Sequence, residues 1–230
     1  MRKTFFILAA AFCGLTAFAQ TDFNDELENI GVPKAKKNAF FVGPKVGVTF
    51  NTMTDPDQGK LYDSFGVGYS GGVALQGRFG RSSSQSPGGT GIWGAGIELK
   101  YKVNSVKTLG TNQDGKNNAN LEISYFEAPI YFHVYPAFKT RGLNGLYLEA
   151  GVSVAGSLNA KPDVLKTAET IYQTGELKGF DIRPLVGVGL TTRSGFDVNA
   201  RYYIGTSDLA GNMACKQSSF ELSVAWLFKL

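Results

Sequence analysis

The sequence predicts an all-β fold, an eight-stranded antiparallel up-and-down transmembrane β-barrel. Residues 218–230 alternate with a period of two: Phe220, Leu222, Val224, Trp226, Phe228 and Leu230 fall on one face, and Ser219, Glu221, Ser223, Ala225, Leu227 and Lys229 on the other. That period belongs to a strand with one apolar and one mostly polar face. Seven earlier segments repeat the pattern, and the chain opens on an export signal. The 29 glycines, 17 phenylalanines and 10 tyrosines supply turns, strand residues and interfacial aromatics.

Residues 1–19 read as a signal peptide. Arg2 and Lys3 form its charged region, residues 5–12 its apolar run, and Ala17 and Ala19 the small positions before cleavage at Gln20. The apolar run is shorter than the ~20 residues a spanning helix needs, and bulky Phe12 before Cys13 argues against a lipoprotein. Without Arg2 and Lys3 the formal charge falls from +4 to +2, which is no nucleic-acid signature. Cys215 is then the lone cysteine, so no intrachain disulfide forms and backbone pairing and packing must stabilise the domain. Residues 20–38 are expected to be a periplasmic N-terminal leader and residues 39–230 the barrel domain.

Strand one covers residues 40–51, with Phe40, Val42, Val46, Val48 and Phe50 opposite Lys45 and Thr49; turn residues then place a loop at 52–59. Strand two, residues 66–79, sets Val67, Tyr69, Val73, Leu75 and Phe79 against Ser70, Gln76 and Arg78. Strand three, residues 92–103, sets Trp93, Ile97, Leu99, Tyr101 and Val103 against Glu98, Lys100 and Lys102, and a loop is expected from Asn104. Strand four, residues 121–135, is apolar at Leu121, Ile123 and Tyr125 and then, one position out of phase, at Phe126, Ala128, Ile130, Phe132 and Val134. The change of phase predicts either a bulge at Tyr125 and Phe126 or a part of the strand that projects beyond the membrane. Pro129 is an awkward ladder residue because it has no N–H to donate.

Strand five sets Leu146, Leu148, Val152 and Val154 against Tyr147, Glu149 and Ser153, and residues 158–178 read as the longest loop. Strand six carries Phe180, Ile182, Val186, Val188 and Leu190 opposite Asp181, Arg183 and Arg193; Ser194 and Gly195 make a tight hairpin. Strand seven sets Phe196, Val198, Tyr202 and Ile204 against Asp197, Asn199, Arg201 and Tyr203. Residues 206–217, with Cys215, read as a loop before strand eight.

Two patterns place the apolar face outward. Counted from a periplasmic N-terminus, the outer connections are roughly 14, 16, 21 and 12 residues and the inner ones roughly 12, 9 and 2, the bias of outer-membrane barrels. The polar face carries charges of both signs, which suits an enclosed lumen where they pair, because an unpaired buried charge costs several kcal/mol. The candidates for a lumen ion-pair network are Glu98, Lys100, Glu127, Glu149, Asp181, Arg183, Asp197, Arg201 and Glu221, with Glu127 and Arg183 foremost. Glycines on that face fit a narrow interior filled by side chains rather than a wide pore. Trp93, Tyr101, Phe196, Tyr202, Trp226 and Phe228 read as interface girdles. The competing reading is a soluble lipocalin-like barrel whose apolar face lines a ligand cavity.

Two short motifs carry a resemblance: Tyr125-Phe126-Glu127-Ala128-Pro129-Ile130 in strand four, and residues 179–189, an aromatic-Asp strand running into Gly187-Val188-Gly189. Together with the signal peptide ending Ala17-Phe18-Ala19-Gln20, they resemble the PorT-type small outer-membrane β-barrel family, an eight-stranded barrel of the OmpA/OmpX kind. The terminal residue is Leu230 rather than the terminal aromatic typical of many barrels, with Phe228 two residues earlier. The resemblance implies insertion by the outer-membrane assembly machinery and no single activity.

No catalytic or cofactor signature stands out. His133 is the only histidine; Ser124 and Ser153 are available, but neither a G-x-S-x-G nor an H-E-x-x-H motif occurs. The strand glycines precede no Lys-[Ser/Thr] pair, and no Cys/His cluster has zinc-ligand spacing. The expectation is a non-enzymatic outer-membrane barrel with no cofactor, no metal and no nucleic-acid partner. Its partners are membrane lipid, the assembly machinery and an envelope protein, with attachment to a secretion or transport assembly one form of a structural or accessory role. The alternatives are an adhesion or recognition barrel working through its outer loops, and a small transporter or ligand-binding barrel.

Overall fold

A computed structural model describes residues 39–54, 62–79, 93–108, 120–135, 145–161, 164–166, 171–173, 179–192, 194–210 and 213–230. The expected signal peptide and leader, and Arg193, lie outside them. Eight long strands form the wall: β1 (Ala39–Thr54), β2 (Tyr62–Phe79), β3 (Trp93–Thr108), β4 (Asn120–Val134), β5 (Leu146–Lys161), β6 (Asp181–Thr191), β7 (Phe196–Tyr203) and β8 (Met213–Trp226). Each pairs antiparallel with its neighbours in sequence, and β1 closes the barrel against β8, from Lys45↔Ala225 to Thr54↔Lys216. A two-residue continuation, Phe228–Lys229, extends that seam along Phe41 and Val42.

Alternation sets the two surfaces. Val46, Val48, Val73, Leu99, Ile130, Phe132, Val186 and Leu222 face outward and are exposed, whereas Lys45, Glu98, Lys100, Lys102, Glu127, Arg183, Arg201 and Glu221 face inward and are buried. Polar-in and apolar-out is the arrangement that lipid demands. Aromatics band the outer face at two levels. One holds Phe40 against Phe79 (5.9 Å), Phe79 against Trp93 (4.8 Å) and Phe196 against Trp226 (6.3 Å); the other includes Phe50 against Phe220 (6.3 Å). From Phe40 to Phe50 a strand rises roughly 33 Å, and a tilt near 40° reduces this to about 25 Å, the height of a barrel's apolar band.

Three prolines are accommodated without slippage. Beside Pro129 the β3–β4 rungs lapse between Ile97↔Ile130 and Lys100↔Glu127 and resume in the same register. Beside Pro44 the seam rungs lapse between Val42↔Phe228 and Lys45↔Ala225 and resume in the same register, and the Leu227 N–H is satisfied by the Gly195 carbonyl at 2.8 Å. Pro184 keeps its rung with Val152, and its carbonyl accepts the Ile204 N–H at 2.9 Å. The β6–β7 turn needs Gly195, whose φ is +88°; a Cβ there would also meet the Leu227 carbonyl oxygen at 2.1 Å.

Several strands run further than the sequence suggests, all at the end opposite the chain termini. β1 continues through Thr52, Met53 and Thr54, β3 through Asn104 to Thr108, and β8 begins at Met213, so Cys215 lies in a strand rather than a loop. Residues 158–178 are not featureless: β5 runs on to Lys161, and Val164–Lys166 pairs with Ile171–Gln173. β4 alternates without a break across Tyr125 and Phe126. The bulge is instead in β5, where Leu158 is the unpaired residue between Ser124↔Asn159 and Tyr125↔Ser157. Lys229, expected on the lumen face, is exposed.

Candidate functional site: the lumen and its two mouths

Strand alternation brings all nine sequence-predicted charges to the inner surface, where each finds its partners on other strands or along its own. Lys100 (β3) donates to both carboxylate oxygens of Glu221 (β8) at 2.8 and 2.9 Å and to the Tyr203 hydroxyl (β7) at 2.7 Å. Glu127 (β4) stands 3.6 Å from both Lys100 and Lys102 and accepts a 2.6 Å bond from Ser153. Lys102 donates to Ser219 at 2.9 Å and lies 4.0 Å over the Tyr203 ring. One level nearer the termini, Arg201 bridges Glu98 (2.8 Å) and Glu149, and Lys45 donates to Glu98 at 2.8 Å.

Glu127 and Arg183 both line the lumen, but they are not each other's partner. Arg183 pairs along its own strand with Asp181 at 2.5 Å and lies 4.5 Å over the Tyr125 ring. Among the described residues Asp197 pairs with no cation: it accepts from Tyr147 at 3.0 Å and Thr191 at 2.5 Å. Among the described residues the lumen holds as many cations (Lys45, Arg78, Lys100, Lys102, Arg183, Arg201) as carboxylates (Glu98, Glu127, Glu149, Asp181, Asp197, Glu221).

Aromatic side chains complete the filling, a role the charges alone do not reveal. Tyr131 accepts from Gln76 at 3.1 Å, underlies Arg201 at 4.3 Å and packs with Leu185 and Tyr203. It lies across Gly96, where a Cβ would come within 2.5 Å of the ring. The parity of Tyr131, Tyr147 and Tyr203 puts them inward, and glycines on neighbouring strands are the sequence signal that large rings cross there.

The mouth away from the termini inverts the polarity of both faces. Met53, Val106, Leu121, Ile123, Ala160 and Cys215 point inward and are buried, while Thr52, Thr54, Lys107, Glu122, Asn159, Lys161 and Lys216 point outward and are exposed. Between this apolar tip and the charged lumen lies a layer of neutral polar groups. Gln217 accepts from Asn104 at 3.1 Å and Tyr125 at 3.0 Å, and Asn51 donates to Thr49 at 3.2 Å. The inversion explains the phase change of β4: the strand stays regular while its surroundings pass from lipid to water. Inside, the tip closes the lumen as an apolar core closes a soluble domain.

Ser153 is engaged with Glu127, and Ser124 accepts from Tyr101 at 3.0 Å on the outer surface; neither bonds His133. Among the described residues no group of three or more His, Cys, Asp or Glu could hold a metal ion.

A family model described as outer membrane protein beta-barrel domain matches residues 18–211. Among solved structures, the attachment invasion locus protein Ail of Yersinia pestis is 9% identical, with 82% of this chain and 98% of that chain covered at a TM-score of 0.45. Neisserial surface protein A is 11% identical over 82% of this chain and 97% of that one, at 0.46. OprG of Pseudomonas aeruginosa is 10% identical over 84% and 96%, at 0.40. No curated protein matches the chain.

Proposed function

Because the chain belongs to the outer membrane protein beta-barrel domain family, and so is a small barrel of the cell outer membrane, we propose that it is a sealed, non-catalytic barrel with a structural or accessory role. The observation that carries this reading is the interior: paired charges and tyrosines fill the middle, and Leu121, Ile123, Val106 and Met53 cap one end. A lumen so filled leaves the outer surfaces and loops to do the work. The end bearing both termini faces the periplasm and the apolar-capped end faces outward, as short turns and long loops are arranged in such barrels. Membership of the PorT-type group, with attachment to a secretion or transport assembly, is the finer form of this reading. It is supported by the Tyr125–Ile130 motif, whose Glu127 accepts from Ser153 and stands 3.6 Å from two lysines.

Conductance tests the sealed interior. Purified barrel in planar bilayers should give no discrete channel events under an applied voltage. Stepwise openings that follow protein concentration would sink the reading and favour a transporter. The projecting polar rim favours recognition as the second reading. Shaving the loops with protease on intact cells should then abolish adhesion to a surface that untreated cells hold, whereas the accessory reading predicts no change.

A further inference from the structure

The mouth at the terminus end contains a cluster that the ion-pair network does not use. Arg78 near the end of β2, His133 near the end of β4 and Tyr135 just beyond it all point inward and are more than nine-tenths buried. Among the described residues the Nε and Nη2 of Arg78, both ring nitrogens of His133 and the Tyr135 hydroxyl make no hydrogen bond. Among the described residues no carboxylate lies within ion-pair distance of Arg78. A buried cation and two buried polar groups without partners are costly, and such groups are nearly always satisfied by something.

Their arrangement says what would satisfy them. Arg78 pairs in register with Gly94, and Gly94 with His133, so the two side chains flank a position that has none. The His133 ring leans into that gap: a Cβ on Gly94 would lie 2.1 Å from its Nε2. Tyr135 joins them, its ring 5.6 Å from the guanidinium carbon and 5.2 Å from the His133 ring. One face of the guanidinium is covered by Phe41 at 4.1 Å, so Arg78 offers its edge rather than its face. The unpartnered edge, Nε with Nη2, is the fork whose parallel N–H bonds match the two oxygens of a carboxylate. Imidazole and phenol add two further donors beside it.

We propose that Arg78, His133 and Tyr135 form a carboxylate-binding site at the periplasmic mouth. The carboxylate comes either from a small organic acid or from an acidic side chain of a periplasmic polypeptide.

His133 is the sole histidine, so its imidazole proton resonances in the untagged, micelle-refolded protein report on the site without ambiguity. Titration with sodium acetate should move them along a saturating curve that sodium chloride at matched ionic strength does not reproduce. Tyr135→Phe keeps the ring and removes one donor, and should weaken acetate by about fivefold, roughly the worth of one hydrogen bond. Arg78→Lys keeps the charge and loses the fork, and should weaken it by about tenfold or more. Retained heat-modifiable migration confirms that each variant is folded. A blocked tri-glutamate peptide that saturates the shift well below acetate assigns the carboxylate to a polypeptide; equal potency assigns it to a small acid. No acetate-dependent shift, an equal shift with chloride, or unchanged affinity in folded Arg78→Lys would overturn the proposal.

Discussion

Lys100 shows what a single lumen residue contributes. Its ammonium meets Glu221 through both oxygens, the Tyr203 hydroxyl at 2.7 Å and Glu127 at 3.6 Å, with 4% of the side chain exposed. Removing one member of such a buried group leaves its partners charged without compensation, which costs about 3–5 kcal/mol. Lys100→Met should therefore destabilise the refolded barrel by about that amount in urea titrations in lipid vesicles. Adding Glu221→Gln should recover a substantial part, because the second change removes the stranded carboxylate. Strict additivity of the two substitutions would show that they act independently. The sequence made Lys100 and Glu221 visible as inward charges through their parity, but not as partners. They lie far apart in the chain and meet only across the closed interior. For the same reason Glu127 and Arg183, prominent in the sequence, turn out to pair with other residues.

At the scale of one strand, β4 carries the informative feature. From Tyr131 down to Glu127 its inward positions are polar or ionisable apart from Pro129, whereas Ile123 and Leu121, on the same face, are buried among apolar neighbours. Outward, Phe132 and Phe126 face lipid, and Glu122 faces water. Substitutions should follow the environment, not the face. Ile123→Glu puts a carboxylate on the side that bears Glu127, yet with no cation placed for it, and should cost several kcal/mol. Phe132→Lys should cost about 2–4 kcal/mol near the bilayer middle, less toward the interface. Glu122→Gln should change stability by no more than about 0.5 kcal/mol. Urea midpoints measured on the three variants rank them, and a tolerated Ile123→Glu would show that the tip is wet. Alternation was legible in the sequence because it needs only parity. The ends of the strands were not, because above the membrane Thr, Asn and Ser serve strands and loops alike, and Cys215 therefore read as a loop residue.

Closure governs the molecule as a whole. Every long strand has a neighbour on each side, β1 and β8 included, so no edge is free to fray through the band between the two girdles. Opening one seam inside lipid would expose backbone groups that nothing there can satisfy. Folding should accordingly be all-or-none, and the folded form should resist detergent until heated. Unboiled protein is expected to migrate apart from boiled protein on a detergent gel, and a single band in both lanes would contradict a closed barrel. The two tryptophans sharpen the test. Trp93 and Trp226 are both exposed on the outer face at the terminus end, on strands well separated around the wall. During urea unfolding from vesicles their fluorescence should shift from lipid-like to water-like emission in one transition. Far-UV circular dichroism should follow the same curve. A tryptophan transition that precedes the loss of strand signal would mean that the terminus-end girdle leaves the membrane while the rest stays folded, and that the seam through Phe41, Val42 and Phe228 is not part of one cooperative unit.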